Sequence, residues 1–148
     1  MIKIIDGNLL NTQNHIIAHQ VNCKKKMGSG VALHIKNAFP EVYEKYMLDE
    51  PKLGRVEFCE TKDGRIIANM YAQDDYGYDG KQYTNVEALS NCLDTLGWYC
   101  ILTKCRAVAL PYKIGCGRGG ADWERVYKII EETLVSKNIE VELWRLEE

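Results

Sequence analysis

AVALPYKIGCGRGGADW, residues 107–123, joins an apolar run to a glycine-rich turn and then to a helix-like segment. Four apolar residues in succession at 107–110 predict a central strand that is covered on both faces. Gly115–Gly120 predict a loop. A helix from about Asp122 to Ser136 is predicted by the apolar spacing of Val126, Ile129, Ile130 and Leu134. Strand, glycine loop and helix in this order indicate an α/β fold.

A second segment, HQVNCKKKMGSGVA at residues 19–32, repeats this order. It begins in a predicted strand at His15–Val21 and leads into a predicted helix at Val31–Phe39, which Pro40 must end. Glycine lets the backbone approach a bulky anion, and a helix N-terminus presents unpaired N–H groups. Two such segments after neighbouring strands therefore predict one phosphate or diphosphate site at the carboxyl ends of the strands.

The rest of the chain alternates between strand-like and helix-like patterns. Arg55–Cys59 and Arg65–Tyr71 are predicted to form an antiparallel pair around a Lys-Asp-Gly turn. Thr84 is predicted to open a long helix through a capping box with Glu87, after a polar loop at 73–83. Further elements are expected at Ile2–Ile5, Glu41–Leu48 and Ile139–Leu146. Six strands and about four helices predict one three-layer α/β/α domain over residues 1–148, with a mixed sheet.

Composition limits the classes of function. A net charge of -2 argues against broad attraction to nucleic acid, although Lys24, Lys25 and Lys26 could attract an anionic ligand beside the first loop. No signal peptide and no membrane span are recognisable, so we expect a cytoplasmic monomer. The six cysteines show neither CxxC spacing nor a histidine at metal-ligand spacing. Free thiols are expected, with no metal site and no cofactor.

Other nucleotide-binding motifs fit less well. Gly115, Gly117 and Gly120 match G-x-G-x-x-G, but one helix and one strand after the motif are too few for a dinucleotide-binding half. No P-loop sequence is present. Cys116 has Asp122 rather than arginine six positions on, so the cradle of cysteine phosphatases is missing.

Together, these segments resemble a known family. Asn22–Ala32 and Ile114–Gly117 look like the two binding loops of macrodomains, and Ile5–Leu9 resembles the first-strand motif of that family. Met-Gly-x-Gly in the first loop and Gly-Cys-Gly in the second resemble one branch in particular. That branch includes ADP-ribosylglutamate hydrolases and yeast-type ADP-ribose-1''-phosphate phosphatases.

The resemblance implies an ADP-ribose site. Gly7 and Asn8 would adjoin the adenine, against which Trp144 or Leu146 could pack, and Asn22 would meet the distal ribose. Asn8 stands where the family usually has an aspartate that accepts the adenine amino group. The two sides of the diphosphate would be lined by Gly28, Ser29, Gly30 and Val31, and by Ile114, Gly115, Cys116, Gly117 and Arg118.

The catalytic residues are less well matched. Gln73 stands where the glutamate hydrolases have a lysine that attacks the ribose, and Gly119 stands where they have an aspartate. The lysine mechanism is therefore not carried over. His19 matches a histidine of the yeast-type phosphatases. His19, Asn22 and Asp122 are the candidate catalytic residues, with hydrogen-bonded histidine and helix N-cap as the structural alternatives for the first and last.

The resemblance implies binding of ADP-ribose or a derivative, and hydrolysis of one. Removal of the 1''-phosphate and removal of an ADP-ribosyl group from a small molecule, a protein or nucleic acid are the two reactions considered. The alternatives are an ADP-ribose-binding module without chemistry and a different nucleotide-binding α/β protein. The candidates for a ring that stacks on a ribose are Tyr71, Tyr76, Tyr78 and Tyr83.

Overall fold

The structure is a computed structural model and describes residues 1–77 and 79–146. Apolar runs form the strands, and segments with helical apolar spacing cover them. The strands are β1 (Ile2–Asp6), β2 (Ile16–Asn22), β3 (Val56–Glu60), β4 (Ile66–Gln73), β5 (Ala107–Pro111) and β6 (Glu140–Arg145). The helices are α1 (Gly30–Ala38), α2 (Pro40–Leu48), α3 (Val86–Thr103) and α4 (Trp123–Thr133), with short 3-10 turns at Leu9–Asn11 and Val135–Lys137.

All six strands form one sheet in the order β1-β6-β5-β2-β4-β3. Neighbouring strands are parallel except for β3 and β4, which pair antiparallel as predicted. The predicted mixed, six-stranded α/β fold is therefore confirmed. β5 lies inside the sheet, and its residues Val108, Ala109 and Leu110 are fully buried, because both faces of the strand are covered.

Alternate residues of each strand enter different cores. Ala18 and Ala68 pack with α3 and α4 in the larger core, whereas Ile17 and Ile67 pack with α1 and α2 on the other face. This alternation follows from the two-residue repeat of a strand. Among the described residues, no helix combines the length and apolar character needed to span a membrane.

Two predicted helix boundaries are wrong. Asn85, rather than Thr84, caps α3, because its Oδ1 accepts a hydrogen bond of 2.9 Å from the amide of Ala88. The Thr84 hydroxyl instead donates to the carbonyl of Gly115 at 2.8 Å. α4 ends at Thr133, and a 3-10 turn replaces the predicted last turn through Ser136.

The parallel strands bring distant segments to one edge of the sheet. β1, β2, β4, β5 and β6 all end at the same edge, so the segments that follow them emerge side by side. We call residues 23–29, between β2 and α1, loop one, and residues 112–122, between β5 and α4, loop two. The topology thus brings the two glycine-rich loops to the edge where α/β proteins bind ligands.

Candidate ligand-binding cleft

A cleft of about 560 Å³ opens at this edge between the two loops. Gly28 and Ser29 of loop one, with Gly30 and Val31 at the start of α1, line one side. Ile114, Gly115, Gly117 and Arg118 of loop two line the other side. The structure therefore brings together the residues that the sequence assigned to the two sides of a diphosphate, with the exception of Cys116.

The Asn22 side chain organises loop one. Its Oδ1 accepts hydrogen bonds from the amides of Lys24 and Lys26 at 3.0 and 3.3 Å, and its Nδ2 donates to the carbonyl of Lys26 at 2.9 Å. The hydroxyl of Tyr46 donates to the backbone carbonyl of Asn22. Asn22 also lines the cleft. Its substitution would therefore disturb the shape of loop one as well as any contact with a ligand.

The first turn of α1 lies at the cleft. Ser29 is the N-cap residue, and its side chain makes no capping hydrogen bond to the helix. Gly30, Val31 and Ala32 form the first turn and line the cleft. These backbone N–H groups and the positive end of the helix dipole favour an anion on this side.

Loop two presents its backbone in a different way. The cleft lining ends at Gly119, so the N-terminus of α4 does not reach the cleft, although the sequence predicted a helix start there. The carbonyl of Gly119 accepts hydrogen bonds from the amides of Tyr83 and Thr84 at 2.8 and 2.9 Å, which tie this end of loop two to the segment before α3. Asp122 occupies the N-cap position of α4 and lies outside the cleft lining, and its side chain makes no capping bond. This placement gives its predicted catalytic role no support.

Cys116 of loop two faces the core rather than the cleft. It packs against the larger core, and its amide donates to the carbonyl of Lys113 at 2.9 Å. Burial raises the pKa of its thiol to about 11. The thiol is therefore protonated and unsuited to nucleophilic attack at neutral pH.

His19 belongs to a buried polar chain that crosses three strands. His19, Asn69 and Glu57 lie directly opposite one another on β2, β4 and β3. Asn69 donates from Nδ2 to Glu57 Oε1 at 2.9 Å, and its Oδ1 lies 2.5 Å from His19 Nε2. This arrangement places the imidazole proton on Nε2, since Asn69 offers an oxygen there. Burial lowers the pKa of His19 to about 4, so the ring is neutral at pH 7 although it borders the cleft.

A small recess continues the cleft toward the C-terminal strand. Its walls include Gly7, Asn8, Trp144 and Leu146, and it shares Val31 and Pro111 with the cleft. Gly7 has a φ of +142°, and a Cβ there would lie 3.3 Å from the Trp144 ring. Glycine at this position lets the backbone pack closely on the indole. The structure thus groups the four residues that the resemblance implied around a base.

The tyrosines occupy different environments. Tyr76 lines the cleft and is 42% exposed, so its ring is accessible to a ligand. Tyr71 is fully buried and donates to Asp49 at 2.9 Å, and Tyr83 donates to Asp79 at 2.7 Å. Tyr78 lies outside the described residues. Tyr76 is therefore the candidate for stacking on a ribose.

Two of the three lysines of loop one contact other parts of the protein, and the third lines the cleft. Lys24 Nζ lies 3.6 Å from Asp74 Oδ2, and Lys25 Nζ donates a hydrogen bond of 2.7 Å to the carbonyl of Met47. Lys26 lines the cleft, as do Lys113 and Arg118 of loop two. Positive side chains at both walls favour an anionic ligand. Over the residues that the structure describes, no group of acidic, histidine and cysteine side chains could hold a metal ion.

A family model described as "Macro domain" matches residues 18–130. The chain belongs to the macro domain family. "DNA ADP-ribosyl glycohydrolase" of Thermus aquaticus is 28% identical over 151 residues, covering 97% of this chain and 40% of that protein. The chain thus spans well under half of the length of this relative. "ADP-ribose glycohydrolase OARD1" of Bos taurus is 26% identical, covering 98% of this chain and 91% of that protein.

A solved structure has the same fold. The macrodomain of Thermus aquaticus DarG matches with a TM-score of 0.81 and 28% identity, covering 100% of this chain and 99% of that one. The family match favours a macrodomain over the different nucleotide-binding α/β protein that the sequence had left as an alternative.

This macrodomain has Gln73 and Gly119 at the two positions where the resemblance expected a lysine and an aspartate, and Gln73 belongs to a network of side-chain hydrogen bonds. Gln73 lines the cleft, and its Oε1 accepts a hydrogen bond of 2.7 Å from Gln20 Nε2. The same Nε2 donates to the Thr84 hydroxyl at 2.8 Å. A Cβ on Gly119 would collide with the Thr84 hydroxyl, so no acid can occupy that position without rearrangement. Neither a nucleophilic amine nor a nearby acid is present at these positions.

Sequence reasoning missed Gln20, Thr84, Asn69 and Glu57. Polar residues inside strands were the available signal, because Gln20 and Asn69 lie in strands that are otherwise largely apolar. Their partners lie 12 to 64 positions away in the chain. Strand register is therefore needed to find the pairs.

Proposed function

We propose that this macrodomain binds ADP-ribose or a derivative in the cleft and hydrolyses such a derivative at its distal ribose. The convergence of loop one and loop two on one cleft is the observation that carries the proposal. A diphosphate would lie between the first amides of α1 and the glycine backbone of loop two. The names of the Thermus aquaticus and Bos taurus relatives support a reaction in which an ADP-ribosyl bond is hydrolysed.

The reaction would take place at the end of the cleft near Gln73 and Tyr76. Water would attack either the phosphorus of a 1''-phosphate or C1'' of an ADP-ribosylated small molecule, protein or nucleic acid. Attack on phosphorus expels ADP-ribose and forms inorganic phosphate. Attack on C1'' expels the unmodified acceptor and forms ADP-ribose. The loop amides would hold the diphosphate in place and so orient the distal ribose for attack.

His19 and Asn22 are the proposed catalytic residues, and Asp122 is the third candidate from the sequence. His19 borders the cleft as a neutral ring, and Asn22 fixes loop one beside it. Gln73 cannot form a covalent link to the ribose. Hydrolysis would therefore proceed by direct attack of water rather than through a lysine adduct.

Product analysis tests this proposal. The purified chain is incubated separately with ADP-ribose-1''-phosphate and with ADP-ribosylated DNA and protein, and released phosphate and ADP-ribose are measured. We expect one substrate to turn over, with activity lost in His19→Ala and Asn22→Ala. Wild-type rates in these two variants would exclude them as catalysts, provided that circular dichroism shows both variants folded. Asp122→Ala tests the third candidate, and we expect little effect because it lies outside the cleft lining.

The amide network at Gln20 and Gln73 favours a second candidate, a module that binds ADP-ribose without chemistry. Gln73 is held by Gln20 and donates from Nε2 to the carbonyl of Asp75 at 2.8 Å, so it shapes the cleft wall. Calorimetric binding of ADP-ribose, without any product from the three substrates above, would support this candidate over the hydrolase.

We further propose that residues 1–148 act as one domain and as a monomer in the cytoplasm. All six cysteines are free, which suits a reducing compartment. Sedimentation of the purified chain tests the monomer, and fractionation of the source cell tests the location.

A further inference from the structure

A pair of buried tyrosines packs against loop one. Tyr46 of α2 and Tyr71 of β4 are fully buried, and their rings stack with 5.9 Å between the centroids. Met27 of loop one is 2% exposed and packs in the same small core. Neither tyrosine lines the cleft. Any effect of these two side chains on a ligand must therefore pass through loop one or the strands beside it.

The Tyr46 hydroxyl ties loop one to α2. It donates to the backbone carbonyl of Asn22, the last residue of β2, and lies 3.2 Å from Oδ1 of the same residue. That Oδ1 accepts the hydrogen bonds from the amides of Lys24 and Lys26. Burial raises the pKa of Tyr46, so the hydroxyl keeps its proton and remains a donor at neutral pH. One buried hydroxyl thus holds the residue around which loop one turns.

Loop one contains a backbone conformation that needs such support. Lys25 has a φ of +61°, in the left-handed region that side chains larger than glycine seldom adopt. It lies between Lys24 and Lys26, the two residues whose amides are bonded to Asn22. A conformation of this kind persists only where the surrounding contacts hold it. Loss of the Tyr46 hydroxyl should therefore let loop one sample other arrangements.

We propose that Tyr46 is a positioning residue whose hydroxyl holds loop one in its anion-binding arrangement before a ligand arrives. This inference rests on the proposed function, in which loop one forms one wall of the diphosphate site. A wall that is already ordered loses less conformational entropy when the ligand binds, so preorganisation raises the affinity. Tyr46 acts on the ligand through Asn22 and loop one, without touching it.

Calorimetric titration of ADP-ribose into the full chain tests the proposal with Tyr46→Phe. Phenylalanine keeps the ring in the buried core and removes the hydroxyl alone. We expect the dissociation constant to rise by about five- to tenfold, because loop one must then be ordered at the moment of binding. A wild-type dissociation constant in Tyr46→Phe would overturn the inference.

Tyr71→Phe is the matched control, because it removes a buried hydroxyl from the other ring of the same stacked pair. The Tyr71 hydroxyl donates to Asp49 Oδ2 at 2.9 Å rather than to loop one. We expect this variant to bind ADP-ribose within about twofold of the wild-type protein. An equal rise of the dissociation constant in both variants would mean that any lost tyrosine hydroxyl weakens the site, and would overturn a specific role of Tyr46.

Amide hydrogen exchange of the ligand-free chain tests the same contact without any ligand. In Tyr46→Phe we expect faster exchange at the amides of Lys24 and Lys26. The amide of Cys116, which donates to Lys113 in loop two, should exchange at the wild-type rate. Unchanged exchange in loop one would overturn the inference. Failure of the wild-type chain to bind ADP-ribose would instead overturn the proposed function, whereas faster exchange in loop one would still support the role of Tyr46 in holding it.

Discussion

The buried imidazole of His19 links folding to pH. Its pKa is about 4 in the folded chain, because burial penalises the charged ring, against an ordinary value of 6.5. Between pH 6.5 and 4 the unfolded chain therefore binds a proton that the folded chain does not. Stability must fall as the pH drops through this window, by about 3 kcal/mol from this group.

Denaturant unfolding of the wild-type chain and of His19→Gln checks this prediction. We expect the free energy of unfolding to fall more steeply in the wild-type chain between pH 7 and pH 4.5, by about 2.5 kcal/mol. Burial raises the pKa of Glu57, which acts in the opposite direction but is common to both proteins. Equal slopes in the two proteins would show that His19 does not have the depressed pKa.

Gly119 has no room for a side chain. A Cβ would meet the Thr84 hydroxyl and would lie 2.5 Å from the carbonyl oxygen of Gly115. We expect Gly119→Ala to lower the free energy of unfolding by about 1–3 kcal/mol, because the backbone of loop two must move. Gly117→Ala is the control for stability, since a Cβ there has no neighbour within 4 Å. Equal stabilities of these two variants would contradict the close packing of loop two.

The role of some residues could be predicted from the sequence, and that of others could not. The glycines of both loops were predicted, because close backbone approach and positive φ leave a direct trace in residue type. Asn69 and Glu57 were missed. Their role depends on lying opposite His19 across two strand pairs, and an isolated sequence does not give the register.

At the scale of elements, a glycine sets the distance between α3 and α4. A Cβ on Gly97 would lie 2.7 Å from the carbonyl oxygen of Thr133. Alanine normally stabilises a helix interior relative to glycine by about 1 kcal/mol. We expect Gly97→Ala to destabilise the protein instead, in thermal or denaturant unfolding, because the two helices must separate. Thr95→Ala, on the exposed side of α3, is the control and should change stability little. A stabilising Gly97→Ala would contradict the close contact.

Most elements could be predicted because their apolar spacing is long and regular. The boundaries were harder. Thr84 and Asn85 are both good capping residues, and the choice between them depends on the contact of Thr84 with Gly115, 31 positions away. The N-terminus of α4 was expected in the cleft, but the hydrogen bonds of Gly119 direct loop two away from it.

The site exists only at the scale of the whole molecule. Five parallel strands end at one edge, and this arrangement places loop one, loop two, Gln73 and the recess around a common space. Alternating strands and helices predicted a layered α/β fold, but not the strand order. A sequence pattern shows that two loops can bind an anion, whereas the sheet order decides whether they can bind the same one.

The convergence of the two loops on one diphosphate can be measured directly by NMR. Isotope-labelled protein is titrated with ADP-ribose while the backbone amide signals of Gly28, Gly30, Gly115 and Gly117 are followed. We predict that signals from both loops shift and reach saturation at the same ligand concentration, because the amides of both walls contact one ligand. Shifts confined to one loop, or signals unchanged at millimolar ADP-ribose, would contradict the account.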